Sequence, residues 1–149
     1  MLYEARLHFS PMTPATIAEY SSWFTDRELA RRLGAPTEAW IAHVTAGPRP
    51  AAWAVSLGAE LVGHVQVEFL KDRRCSILIA VKPSRRRQGL SAPILAEFLE
   101  AIIPDQQVIE AGIKQDNIAS IRAAEKVGFV RVSAKPDPDG FIDFELDRR

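Results

Sequence analysis

At 149 residues, 47% of them apolar, the chain can bury a substantial core and lacks the polar bias of a disordered segment. Its 19 basic side chains are matched by 19 acidic ones, so no net charge draws it to nucleic acid or an anionic membrane. The single cysteine, Cys75, excludes an internal disulfide and any multi-cysteine zinc site, and His8, His43 and His64 lack metal-ligand spacing.

Leu2 to Phe9 alternate as a strand does. Thr13 and Pro14 announce a helix whose apolar side carries Ile17, Tyr20, Trp23 and Phe24. A second, shorter helix with Leu29, Ala30 and Leu33 stops at Gly34, and Thr37 caps a third that carries Trp40, Ile41 and Val44 and closes at Gly47. Ala51 to Leu57 and Leu61 to Leu70 then form a hairpin about Gly58-Ala59-Glu60. The turn Lys71-Asp72-Arg73-Arg74 leads into a strand from Cys75 to Val81, so three consecutive strands make an antiparallel meander. At the start of that apolar strand Cys75 reads as a buried, inert thiol.

Pro83 ends the strand, and a turn with Arg85, Arg86, Arg87 and Gly89 follows. Ile94, Leu95, Phe98, Leu99, Ile102 and Ile103 recur at helical spacing, with Ser91 as N-cap, Pro93 in the first turn and Pro104 beyond the end. A strand, an arginine- and glycine-bearing turn and a helix in this order form a place to hold a diphosphate. Glycine lets the backbone approach a ligand, first-turn N–H groups point outward unpaired, and arginine forks suit phosphate oxygens. A solvated basic patch or a weak nucleic-acid contact is the other reading of the same residues, and the balanced net charge speaks against the second.

Gln107 to Ile113 reads as a strand, Asn117 as the N-cap of a helix over Ile118 to Val127, and Gly128 as its left-handed C-cap. Phe129 to Ser133 and Phe141 to Leu146 are strands around the turn from Lys135 to Gly140. No linker, repeat or low-complexity segment divides the chain. The expectation is one α+β domain, residues 1–149, with a mixed and mostly antiparallel sheet flanked by helices. The amino terminus lacks a secretion-signal pattern and no apolar run reaches the roughly 18 residues a bilayer span needs, which points to a cytoplasmic location and no membrane partner.

Two segments together resemble the GNAT superfamily of acetyl-coenzyme A-dependent N-acetyltransferases. Arg86-Arg87-Gln88-Gly89-Leu90-Ser91 follows that family's pattern of Arg or Gln, two residues, Gly, one residue, then Gly or Ala. Asn117-Ile118-Ala119-Ser120, followed by Glu125-Lys126-Val127-Gly128-Phe129, is similar to its later strand-helix signature. The second segment looks most like the branch holding ribosomal-protein, aminoglycoside and polyamine acetyltransferases. Ser91 stands where the family prefers Gly or Ala, Pro93 removes a first-turn N–H, and Ala124 stands where many members carry a tyrosine that helps protonate the leaving thiolate.

The resemblance implies a splayed central strand, with Ile79, Ala80 and Val81 offering backbone to the pantetheine arm of acetyl-coenzyme A, used as co-substrate without a metal. It implies that Arg86, Arg87, Gln88, Gly89, Leu90, Ser91 and Ala92 hold the pyrophosphate and that Asn117 contacts the coenzyme. Direct attack by a primary amine through a tetrahedral intermediate requires a base, because an alkylamine is protonated at neutral pH. Glu68 is the candidate, alternating with His64 and Gln66 on one strand face; Glu110 is its rival. Ser120 is the candidate acid for the leaving thiolate, and closing the helix cap is its alternative role.

The acceptor is expected to be a small-molecule amine or a peptide N-terminus, chosen by the early helices and by loops near residues 34–50 and 134–140. Trp23, Phe24 and Trp40 could line its pocket or fill the core; Asp137 and Asp139 could favour a cation or simply solvate a turn. A homodimer would fit the family. The competing reading is an acyl-coenzyme A-binding sensor or interaction module without catalysis.

Overall fold

The computed structural model describes residues 6–149, so residues 2–5 of the expected first strand lie outside it. The described elements are β1 (Leu7–Pro11), α1 (Pro14–Ser22), α2 (Arg27–Leu33), α3 (Glu38–Thr45), β2 (Ala52–Leu57), β3 (Glu60–Phe69), β4 (Arg74–Val81), α4 (Ser91–Ala101), β5 (Val108–Lys114), α5 (Ile118–Val127), β6 (Val130–Arg131) and β7 (Phe141–Asp147). In the sheet the strands run β1-β2-β3-β4-β5-β7-β6. Among the described residues no helix is long and apolar enough to cross a membrane.

Two compact units make up the chain. The first holds the residues up to Gln66 together with Ile79–Leu90, and the second holds Val67–Leu78 and Ser91–Arg149. The chain passes from one to the other within β3, within β4 and again between Leu90 and Ser91.

In the first unit, β1 pairs antiparallel with β2 from Leu7 opposite Leu57 to Pro11 opposite Trp53. The β2–β3 hairpin continues this pairing, with a register shift between Val55 and Ser56. Local chemistry sets the helices. Thr13 and Thr16 form a reciprocal capping box at α1, and the hydroxyl of Thr37 accepts the Trp40 N–H at α3. At α2 the cap is Asp26, whose carboxylate accepts the Leu29 N–H at 3.0 Å. Tyr20, Trp23, Leu29, Ala54, Leu61 and Ala80 form the buried core of this unit, and Met12, Phe24, Leu33 and Trp40 pack against it. Tyr20 is its hub: Trp23 and Phe24 meet its ring edge-on and His64 stacks on it at 4.2 Å.

In the second unit, the start of β4 runs parallel to β5 over Arg74–Ser76, opposite Val108–Glu110. That ladder has three pairs and ends there, whereas β5 pairs with β7 along its full length, Val108 opposite Asp147 to Lys114 opposite Phe141. The expectation of a central strand that leaves its neighbour is met in β4. At the outer edge β6 pairs with β7, and the Arg131 guanidinium folds back to donate to the carbonyls of Ser133 and Ala134. Helix α4 buries Ile94, Leu95, Phe98 and Leu99. Arg148 donates to the α4 carbonyl of Leu99 and to the carbonyls of Ile103 and Gln106 in the segment beyond the helix. Helix α5 ends as expected at Gly128, left-handed at φ +116°.

Candidate functional site

The arginine- and glycine-bearing turn lies at the end of the first unit. Lys82 fixes the exit from β4 by donating its N–H to the Val62 carbonyl at 2.8 Å, and Pro83–Arg85 make a single 3-10 turn. The backbone then enters the left-handed region twice, at Arg87 (φ +63°) and at Gly89 (φ +70°). A left-handed arginine is uncommon, since its Cβ crowds the following carbonyl oxygen. A Cβ built on Gly89 would have no atom within 4 Å, so glycine serves there for its conformation and its bare, open approach.

The three arginines have different surroundings. Arg85 forks onto Glu60, Nε at 2.6 Å and Nη2 at 2.9 Å, and also reaches Gln88 Oε1 at 3.3 Å. Arg86 forks onto Asp26, Nη1 at 3.1 Å and Nη2 at 2.6 Å, with Glu28 a further 3.4 Å contact. The guanidinium hydrogen bonds hold the Asp26 and Glu60 carboxyls below the usual carboxylate range. Arg87 is exposed and has no ion pair or hydrogen bond among the described residues.

Upstream, Ala80 is buried in the aromatic core, while Ile79 and Val81 are half-buried. Downstream, α4 starts at Ser91, so Ser91 is its first residue and not the flanking N-cap that the sequence suggested. Pro93 permits the early start because the first-turn N–H groups need no partner within the helix. Ser91 and Ala92 are half-buried.

In the second unit the Asn117 side chain caps α5 by accepting the Ser120 N–H at 3.4 Å. The reciprocal bond of a capping box is absent: the Asn117 N–H goes to the Lys114 carbonyl at 2.9 Å. Ser120 therefore contributes its backbone to the cap, and its half-buried hydroxyl has no hydrogen-bond partner among the described residues. Ala124 is buried, 3% exposed.

Glu68 lies exposed near the end of β3. Glu110 is engaged by the Arg74 guanidinium at 2.6 Å, which also reaches Glu145 at 3.3 Å. The shared strand face proposed for His64, Gln66 and Glu68 is not uniform: His64 is 1% exposed beneath Tyr20, and Gln66 accepts the Trp40 indole N–H at 2.9 Å. Burial lowers the His64 pKa to about 3, so its ring is neutral at physiological pH. Gln66 favours the charged form slightly, from outside hydrogen-bonding geometry, because neither ring nitrogen has a partner within that geometry.

Trp23, Phe24 and Trp40 pack around Tyr20 as core. Asp137 organises its own turn, its Oδ1 accepting the N–H groups of Asp139 and Phe141 at 2.9 Å each, and the Asp139 carbonyl accepts from Lys114. Sequence reasoning missed Asp26 and Glu60. The pattern of Asp26 three residues ahead of Leu29 is a legible cap signal, but nothing local to Glu60 announces its arginine.

A family model described as "Acetyltransferase (GNAT) domain" matches residues 6–130, a span that runs through both units. A search of curated protein sequences gave no match. Solved structures share the fold at low identity. An aminoglycoside acetyltransferase, AAC(6')-Ib, in complex with coenzyme A has a TM-score of 0.75 at 19% identity, covering 96% of this chain and 95% of that one. The ribosomal-protein-S18-alanine N-acetyltransferase from Escherichia coli gives 0.70 at 16%, covering 95% and 94%. A spermidine N-acetyltransferase chimera from Vibrio cholerae and hSSAT gives 0.79 at 12%, covering 95% of each chain.

Proposed function

This chain belongs to the GNAT acetyltransferase family, which moves an acetyl group from acetyl-coenzyme A to an amine, and we propose that its acceptor is a primary amine of a small molecule or a peptide N-terminus, met in the cytoplasm. The acceptor classes follow those of the fold relatives, whose names specify an aminoglycoside, a ribosomal-protein alanine and spermidine.

The chain's own residues divide the work as follows. The backbone at Ile79, Ala80 and Val81 takes the pantetheine amides as an added strand would; the β4–β5 ladder's end at Ser76 opposite Glu110 supports this, because it leaves that edge of β4 without a ladder partner. Arg86 to Ala92 hold the pyrophosphate. The left-handed residues Arg87 and Gly89 carry that assignment, since such turns aim successive N–H groups at an anion. Asn117 contacts the coenzyme as well as capping α5.

In the reaction, Glu68 takes a proton from the ammonium, directly or through water, and the freed amine attacks the thioester carbonyl. A backbone N–H near Ile79 stabilises the oxyanion. As the C–S bond breaks, the thiolate takes a proton from Ser120 or water, and the extra proton on the intermediate's nitrogen passes to the alkoxide or hydroxide so formed, leaving a neutral amide and the free thiol. Ala124 supplies no phenol for that step, so Ser120 is the remaining side chain of α5 with a suitable hydroxyl.

Thiol release from acetyl-coenzyme A, screened against peptides, aminoglycosides and polyamines, tests the function. One amine class should release thiol well above background hydrolysis. Tight coenzyme binding with no release across the whole panel would favour a sensor instead. Glu68→Gln should lower kcat well below that of Glu110→Gln; the reverse ranking would move the base to Glu110.

A further inference from the structure

We propose that Asp26 and Glu60 are positioning residues for the coenzyme loop, acting through Arg86 and Arg85, and that Arg87 alone of the three arginines presents its charge to the ligand. This rests on the reading that residues 86–92 hold the coenzyme diphosphate.

Fork geometry is the first argument. Arg85 and Arg86 are neighbours in sequence, yet each makes a two-point pair with a carboxylate on a different element, Glu60 at the start of β3 and Asp26 at the cap of α2. A two-point pair fixes the direction of the guanidinium plane as well as its distance. Two such pairs on consecutive residues fix the chain just before Arg87 turns left-handed. Arg85 also reaches forward to Gln88, so the brace spans the strained residue. A left-handed arginine persists only where its surroundings over-determine it, and these contacts supply that constraint.

Charge is the second. The Arg86 guanidinium faces Asp26 at 2.6 Å and Glu28 at 3.4 Å, so an incoming phosphate meets a cation already neutralised. Arg85 is neutralised by Glu60 in the same way. Arg87 follows them without a carboxylate partner among the described residues.

The two roles predict opposite signs. Were Arg86 a direct phosphate ligand, Asp26→Asn would release its guanidinium, and acetyl-coenzyme A would bind as well or better. As a brace, it loses its anchor, and calorimetry on the full chain should show Kd rising about tenfold. Asparagine caps a helix as well as aspartate, so α2 is retained. Arg86→Lys keeps the charge and loses the fork; it should bind as weakly as Arg86→Ala, and full rescue by lysine would overturn the proposal. The exchange Asp26→Arg with Arg86→Asp should recover affinity relative to either single change. Arg87→Gln should weaken binding and flatten its salt dependence. Without ligand, amide hydrogen exchange over residues 86–90 should quicken in Asp26→Asn, and unchanged exchange would overturn the brace. Failure of the unaltered protein to bind acetyl-coenzyme A would instead overturn the coenzyme reading, while the exchange measurement would still decide the brace.

Discussion

Asp26 holds Arg86 by both carboxylate oxygens while one of them also accepts the Leu29 N–H, so a single side chain both starts α2 and anchors a loop 60 residues further along the chain. The two duties can be separated. Asp26→Ala removes both, and Asp26→Asn keeps the cap, so alanine should lower the melting temperature more. Arg86 holds the Asp26 carboxyl below its ordinary value of 3.8, so the stabilisation it gives is present above that pH and is lost as pH falls through the depressed value. Thermal melts at neutral pH check the ranking, and equal losses would mean that the cap is unimportant.

Ser120 offers a cleaner mutational test than its position suggests. Its N–H, not its hydroxyl, closes the α5 cap, so Ser120→Ala should leave the melting temperature unchanged. A role in protonating the thiolate predicts a fall in kcat of about tenfold to a hundredfold with little change in KM. Identical rates across a pH series would assign the proton to water.

His64 makes the first unit sensitive to acid. Its folded pKa of about 3 lies below the ordinary 6.5, so the unfolded chain binds a proton there that the folded one refuses. Stability should therefore be intact above pH 6.5 and decline below it, by up to roughly 1.4 kcal/mol per pH unit, until pH approaches 3. Urea titrations between pH 7 and 5 on the unaltered protein and His64→Phe read this directly. The variant should lose most of the slope, and parallel curves would contradict the burial argument.

Gly128 and Gly89 should respond differently to alanine. At Gly128 the left-handed φ of +116° combines with a Cβ only 3.4 Å from Leu146, so Gly128→Ala should cost about 1–2 kcal/mol of stability by urea unfolding. At Gly89 only the conformation objects, with open space around it. Gly89→Ala should cost less stability and show its effect in coenzyme affinity. The opposite pattern would place the tighter constraint in the loop.

Local signals in the sequence carried most of the elements. Thr13, Thr37, Asn117 and Gly128 act within one helical turn of themselves, and each does what its spacing predicts. Partner choice at long range was not legible. Glu110 looked like a free rival base until Arg74, 36 residues away, is seen to hold it. His64 alternates with Gln66 and Glu68 as on a solvated face, but Tyr20 and Trp40, from α1 and α3, cover that face as far as Gln66. The arginine run reads as three equivalent cations because sequence does not reveal which carboxylates fold against it. Ser91 reads as a cap but opens α4 itself, one residue ahead of the expected start, because Pro93 in the first turn needs no N–H partner.

The folded-back guanidinium of Arg131 bears on how the protein behaves when concentrated. β6 lies at the sheet's margin beside exposed Val130 and Val132, where a strand from another molecule could add on. By occupying the carbonyls of Ser133 and Ala134, Arg131 removes acceptors such a strand would need and places a cation in its path. If that contact guards the edge, light scattering of concentrated Arg131→Ala should rise on standing while that of the unaltered protein stays flat; equal scattering would leave the contact a purely local one.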